Sequence, residues 1–251
     1  YFVGNHQEGF LIDAGISARR IRKTLEEIGV PITHIRGILI THNHIDHIQA
    51  LTILTRKHQI PVYCTEGTWK GILRNRTTFD LDQERHVQIG YGEAFNLAGF
   101  TIEAFPVSHD AHQAAGFHIA NSSKSLTLAT DLGVIGEDAA HYLRKANALV
   151  IEFNYDEHML LNGRYPDELK HRVHGSLGHM NNADTAAFLS EIYHPGISHI
   201  LMCHLSAENN TPEKALYTLR STFESQGVKL HETTIVRALP RGSRSEIFIL
   251  E

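Results

Sequence analysis

The sequence predicts an α/β fold, and three observations carry that reading. The chain is 251 residues long with 42% hydrophobic content, enough to bury a sizeable core within one domain. Short apolar runs alternate along it with longer amphipathic stretches, the pattern of layered strands and helices. Several of the apolar runs also end abruptly in His or Asp, most densely at Thr41-His42-Asn43-His44-Ile45-Asp46-His47.

In chain order, strands are expected near Phe10, Ile38, Val62, Ile102, Leu126, Val150, Ile200, Ile235 and Phe248. Helices are expected over about 17–28, 47–58, 137–145, 182–193 and 212–226. The last has a clear start signal, Thr211 ahead of Pro212 and Glu213. Glycine and proline are scattered, with no linker, low-complexity stretch or repeat of fixed period. The expectation is one domain over residues 1–251. The chain opens on Tyr1 rather than Met, in mid-strand, so its N-terminal strand is expected to be incomplete.

The loop after Gly37-Ile38-Leu39-Ile40 packs three imidazoles and a carboxylate into six positions. At a strand end His42 and His44, two apart, point to the same side, while Asp46 and His47 reach back from the next helix. Two ligand pairs suit two neighbouring metals. Imidazole and carboxylate favour borderline divalent ions, zinc foremost, with manganese, iron or cobalt as alternatives. The chain holds 19 His, so the bland alternative is a His-rich surface loop. Against it, later strand ends offer further ligands: Ser108-His109-Asp110 after the run from Phe100, Thr130-Asp131-Leu132-Gly133 after Ser125–Ala129, and His204-Leu205-Ser206 after His199–Cys203.

This ordered pattern, HxHxDH followed by His, Asp and His at successive strand ends, resembles the metallo-β-lactamase fold superfamily. The resemblance implies an αββα sandwich of two mixed β-sheets flanked by helices. It implies that His42, His44 and His109 hold one metal, that Asp46, His47 and His204 hold the other, and that Asp131 bridges them. Phe10-Leu11-Ile12-Asp13-Ala14-Gly15 matches the first family motif, which makes Asp13 a candidate to orient ligands through hydrogen bonds, alongside an ordinary turn or capping role.

The segments Ile151-Glu152-Phe153-Asn154, Gly178-His179-Met180-Asn181-Asn182 and His204 to Asn210 are similar to the YycJ/WalJ-type subgroup, whose members are regarded as metal-dependent nucleases, including DNA exonucleases. Two positions depart from it: Phe153 stands where an ESN-like motif has a small polar residue, and Asn181 where a GHxSN-like motif has Ser. The resemblance implies hydrolysis of a phosphodiester, DNA favoured, by a metal-bridging hydroxide. The catalytic candidates are Asp46, Asp131 and His179. His179, Asn154 and Ser206 are the candidates for substrate contact, with His179 donating a proton or meeting phosphate. Two divalent ions, zinc or manganese, are the expected cofactors.

A small-molecule (cyclic) phosphodiesterase shares the stretch Ser108 to Ala111 and is the nearest alternative. A non-enzymatic metal-bound regulatory or interaction module is the alternative of another class, although a closed structural zinc needs only four protein ligands. A thioesterase would differ over 154–182. A β-lactamase would normally be exported. Flavodiiron-type oxygen reduction uses a carboxylate where this chain has His44. There is no G-x-S-x-G elbow.

Cys64 and Cys203 both fall in apolar runs and read as buried thiols rather than a disulfide, which points to a reducing compartment. No stretch has the length of a membrane span and no signal peptide is visible. The expected location is cytoplasmic, with no membrane partner and the oligomeric state open. The formal charge of −5 argues against a polyanionic partner, but two divalent ions would offset most of it inside the cleft. Basic residues come in small groups, among them Arg74 with Arg76 and Lys170 with Arg172, without the interleaved aromatics of a stacking platform.

Overall fold

Parallel strands covered on both faces need apolar side chains at nearly every position, and two segments meet that demand: Ala148–Glu152 and His199–Cys203 are buried throughout. The computed structural model describes residues 1–250. Its strands form two mixed sheets, of five and seven strands, flanked by helices. The chain divides into two compact units, Tyr1–Pro106 with Ala111–Phe117, and Val107–Asp110 with the chain from His118 onward.

In the first unit, β1 (Phe2–Gly4), β2 (Gly9–Ile12), α1 (Ala18–Glu27), β3 (Ile35–Leu39), α2 (Ile45–Ile48), α3 (Leu51–His58), β4 (Val62–Cys64), α4 (Glu66–Arg74) and β5 (His86–Gln88) follow in sequence. Strands β2 to β5 pair in parallel, and β1 adds an antiparallel edge. Ile21 and Leu25 of α1, Leu51 and Leu54 of α3, and Trp69 and Ile72 of α4 join Leu11, Ile38 and Val62 in one apolar core. The unit also holds the antiparallel hairpin β6 (Phe95–Leu97) and β7 (Phe100–Pro106), and the boundary falls inside β8 (Ala115–Ala120).

The second unit contains β9 (Ser125–Ala129), α5 (Glu137–Lys145), β10 (Ala148–Glu152), α6 (Glu157–Asn162), α7 (Asp167–His174), α8 (Asn182–Ile192), β11 (His199–Cys203), α9 (Pro212–Ser225) and β12 (Ile235–Ala238). Strands β9 to β12 are all parallel, with Ile151 beside both Ala129 and Met202 and Glu152 beside Cys203. That register brings the carboxyl ends of β9, β10 and β11 side by side. Helix α9 begins as expected, the Thr211 hydroxyl accepting from the Lys214 N–H.

The structure corrects several sequence expectations. The helix expected over 47–58 is two, α2 and α3, because Ala50 N–H turns away from the helix to bond Ala14 O at 2.9 Å. Helix α4 is unforeseen, because Gly67 and Gly71 depress its helical propensity. No strand forms at Phe248: the segment after Pro240 finds no ladder partner among the described residues, and Phe248 instead sets its ring edge-on to His199. The edge strands β1, β5 and β6, and β8, lack a readable alternation. Both cysteines are buried and neither forms a disulfide. No helix among the described residues is long and apolar enough to cross a membrane.

Gly15 shows how tightly the turn after β2 meets the His-rich loop. A Cβ there would lie 1.3 Å from Asp46 O, inside any van der Waals contact, and Ala14 N–H already bonds His47 O at 2.7 Å. Gly15→Ala is therefore expected to force the two segments apart at a cost of about 3 kcal/mol, lowering the midpoint of thermal unfolding by roughly 6–12 °C; a midpoint like that of the wild type would show that the close approach is not rigid.

Candidate metal centre

Each unit brings together its own group of candidate ligands near strand carboxyl ends. In the first, His42 and His47 are buried, His44 is half-buried and Asp46 is exposed. The rings of His42 and His44 meet edge to face at 4.6 Å, and those of His42 and His47 lie 4.0 Å apart. Asp13 organises them. Its Oδ1 accepts from Thr41 N–H at 2.9 Å, and its Oδ2 lies 2.8 Å from His47 Nδ1. Thr41 Oγ1 in turn is 3.0 Å from His42 Nδ1. Anchoring Nδ1 fixes tautomer and ring plane, the arrangement by which an imidazole offers Nε2 to a metal.

The second unit is organised by Glu152, which sequence reasoning did not single out. This carboxylate is wholly buried. Its Oε1 lies 2.8 Å from His179 Nδ1 and 2.8 Å from His204 Nδ1, and accepts from Asn154 Nδ2 at 3.1 Å. Its Oε2 accepts from Leu132 N–H at 3.0 Å and Met180 N–H at 3.4 Å. Burial pushes its pKa up, but the hydrogen bonds and charge of the two imidazoles outweigh that, and the group is held well below the usual carboxylate range. For His179 burial works downward, yet the Glu152 bond and charge win and its proton affinity rises.

The ligand atoms of Asp131, Glu152, His179 and His204 all lie within 4.8 Å of one another. With Nδ1 of His204 tied to Glu152, its Nε2 comes to 3.3 Å from Asp131 Oδ1. Two ligands of one tetrahedral zinc, each bonded at about 2.0–2.1 Å, stand about that far apart. Asp131 is steadied by Thr130 Oγ1, which donates to Oδ2 at 2.8 Å, and His109 donates from Nδ1 to Gly178 O at 3.2 Å. An imidazole and carboxylate set with its outer nitrogens anchored fits a divalent cation.

The backbone carries the same signature. Asp13, Asp131 and His204 have φ of 61°, 55° and 54°, in the left-handed region that residues other than glycine rarely enter. Each sits just past the end of a strand. Such strain persists only where surrounding bonds over-determine it.

Of the remaining candidates, Asn154 is buried and its amide donates to His204 O at 2.8 Å, so in this structure it braces β10 against β11. Ser206 N–H bonds Asn154 O at 2.8 Å, and the Ser206 hydroxyl accepts from Asn209 N–H. His179 is not the cap of α8; Asn181 is, its Oδ1 accepting from Asp184 N–H at 2.8 Å. Below them Asn182 and Asn210 exchange two side-chain hydrogen bonds, at 3.0 and 2.9 Å, and Asn210 Nδ2 also reaches Phe153 O.

Because Glu152 orients two histidines, Glu152→Gln is expected to weaken divalent-metal affinity about 10- to 100-fold while the protein still folds. Titration against a chromophoric chelator reads this directly; unchanged affinity would mean that the two rings keep their orientation without the carboxylate.

Residues 9–204 match the Beta-lactamase superfamily domain. The chain is 33% identical over 231 residues to exodeoxyribonuclease YycJ of Bacillus anthracis, covering 92% of this chain and 87% of the relative. It is 32% identical over 219 residues to exodeoxyribonuclease WalJ of Streptococcus pneumoniae, covering 87% and 81%. Among solved structures, Zn(2+)-bound PqqB of Methylobacterium extorquens superposes with a TM-score of 0.67 at 18% identity, over 93% of this chain and 83% of that one. The chain thus belongs to the β-lactamase superfamily, with the metallo-β-lactamase fold, in the YycJ/WalJ-like group of metal-dependent hydrolases.

Proposed function

We propose that the protein is a dinuclear metal-dependent exodeoxyribonuclease. The observation that carries this reading is the Glu152 cluster, which fixes the rings of His179 and His204 beside Asp131, in a chain related over most of its length to proteins named exodeoxyribonucleases. By family resemblance, His42, His44 and His109 would hold one ion, Asp46, His47 and His204 the other, and Asp131 would be shared. Bound divalent ions supply Lewis acidity and a water acidified toward neutrality, so hydrolysis needs no Ser or Cys nucleophile.

The protein's own side chains supply orientation and a proton. His179 is anchored at Nδ1 by Glu152, which leaves Nε2 as the atom that would hand a proton to the departing oxygen of the cleaved diester. The negative charge of Glu152 stabilises the protonated ring beforehand, much as a buried carboxylate steadies an imidazolium in other hydrolases. Asp13 anchors His47 at Nδ1 and so fixes its ring plane. We also read the chain as one functional domain, both ligand groups serving a single reaction.

Metal-stripped protein should shorten end-labelled DNA only when zinc or manganese is restored. Asp131→Ala should lose that activity entirely while keeping its fold, and His179→Ala should lose about 10²- to 10⁴-fold in kcat, the usual contribution of a general acid. Wild-type-like turnover by Asp131→Ala would sink the two-metal reading. Cleavage of bis(p-nitrophenyl) phosphate without any shortening of DNA would move the assignment to a small-molecule phosphodiesterase.

A further inference from the structure

Within the first unit, a cavity of about 320 Å³ runs along one side of α4, lined by Glu66, Gly67, Lys70, Gly71, Arg74, His112 and Gln113. Two of those residues are glycines, and neighbouring side chains pack directly against both. A Cβ on Gly67 would meet the Gln113 side chain at 2.9 Å, and one on Gly71 would meet the Asn43 side chain at 2.5 Å. Asn43 stands between His42 and His44 in the His-rich loop, so α4 packs directly on the segment that carries those two ligands.

The opposite wall is fixed as firmly. Gly67 N–H donates to Gln113 Oε1 at 2.6 Å, Thr65 Oγ1 donates to Gln113 O at 2.8 Å, and Thr68 Oγ1 reaches His112 O at 3.3 Å. Gln113 itself has a φ of 51°, a strained turn held by these bonds. Two residues on, Ala115 N–H bonds Thr41 O at 2.8 Å. The trough and the His-rich loop are thus joined by hydrogen bonds and close packing.

Its charge is cationic and largely uncommitted. Arg74, Arg76 and His112 are exposed and have no side-chain hydrogen bond or ion pair among the described residues. Lys70 pairs only with Glu66, an exposed contact four residues away, of the kind that is worth little in water and is readily exchanged. In a chain of net charge −5, a local cationic edge has no evident structural purpose.

Beyond Arg76 the chain makes a short turn that is pinned at three points. Thr78 Oγ1 donates to Ile72 O, Thr52 Oγ1 donates to Thr77 O, and Arg56 pairs with Asp80. Between these anchors Phe79 is left 82% exposed. A large aromatic ring held in water on an ordered turn, five residues from Arg74 and hence within about 18 Å of it along the chain, is the element that the basic groups lack when read from sequence alone.

We propose that α4 and the turn after it form a track for a single polynucleotide strand: Lys70, Arg74 and His112 hold backbone phosphates in the trough, and Phe79 stacks an unpaired base. A cationic groove joined to an exposed aromatic ring is the physical recipe for sequence-independent binding of single strands. The track deepens the nuclease reading and rests on it for the identity of the strand, because a trough joined to the His-rich loop would feed a chain end toward the metal ligands. A small phosphodiester would need neither the trough nor the ring.

The test is binding of a labelled phosphorothioate oligothymidylate to the metal-loaded full chain, followed by fluorescence anisotropy over a range of salt. Lys70→Ala with Arg74→Ala should weaken binding and flatten the dependence of log affinity on log salt by about 0.7 per lost phosphate contact. Phe79→Ala should weaken it about tenfold with the salt dependence unchanged, and Phe79→Trp should restore it. Duplex DNA should respond to the charge variants but not to Phe79. Thermal unfolding of each variant separates a local effect from misfolding. Wild-type-like binding by both the charge variant and Phe79→Ala, or failure of the wild type to bind the strand, would overturn the track. If the variants behave as expected but the wild type does not shorten DNA, the exonuclease reading falls while the track stands. If the wild type shortens DNA and the variants bind as it does, the track falls while the exonuclease reading stands.

Discussion

The constraint on which the second unit turns is the burial of one carboxylate. Taking Glu152 fully out of water costs several kcal/mol unless every lone pair finds a donor. The donors come from five places on the chain: Leu132, Asn154, His179, Met180 and His204. Satisfying them fixes the ends of β9, β10 and β11 in relation to the loop before α8. The parallel register of those strands and the orientation of the two histidines are consequently solutions to one electrostatic problem. Removing the carboxylate would leave two imidazole nitrogens and two backbone amides without their shared acceptor, which is why a single buried charge can dictate so much geometry.

The first unit solves a related problem with less burial and more hydrogen bonding. Asp13 is held in the left-handed region and binds Thr41 through both carboxylate oxygens, so the turn after β2 and the turn after β3 are locked together. Asp13 and Glu152 do the same work by different routes: each takes the Nδ1 side of a histidine and leaves its plane determined before any ligand arrives. Such preorganisation removes the conformational entropy that a floppy imidazole would lose on coordination.

How much of this was legible in the sequence follows from how local each signal is. His42, His44, Asp46 and His47 occupy one short loop, so their spacing marks them as candidate ligands without any knowledge of the fold. The helix starts at Ser17 and Thr211 and the strands β9 and β11 were equally readable, because caps and apolar runs are local facts. Glu152 was not. It ends an apolar run as an ordinary strand residue would, and its histidine partners lie 27 and 52 residues away, so nothing near it marks it as the hub. Helix α4 was hidden for the reason that makes it useful: Gly67 and Gly71 weaken the local helical preference but admit Gln113 and Asn43 against its backbone. Tertiary packing, not propensity, decides that element.

The two departures from the subgroup's motifs are both absorbed by packing. Asn181 stands where Ser was expected and caps α8 through its side-chain oxygen, a task for which Asn and Ser are nearly interchangeable. Phe153 replaces a small polar residue, but its side chain is wholly buried and its backbone N–H still bonds Cys203 O. One is taken up by a helix terminus and the other by the core. Both therefore bear on packing beneath the Glu152 cluster.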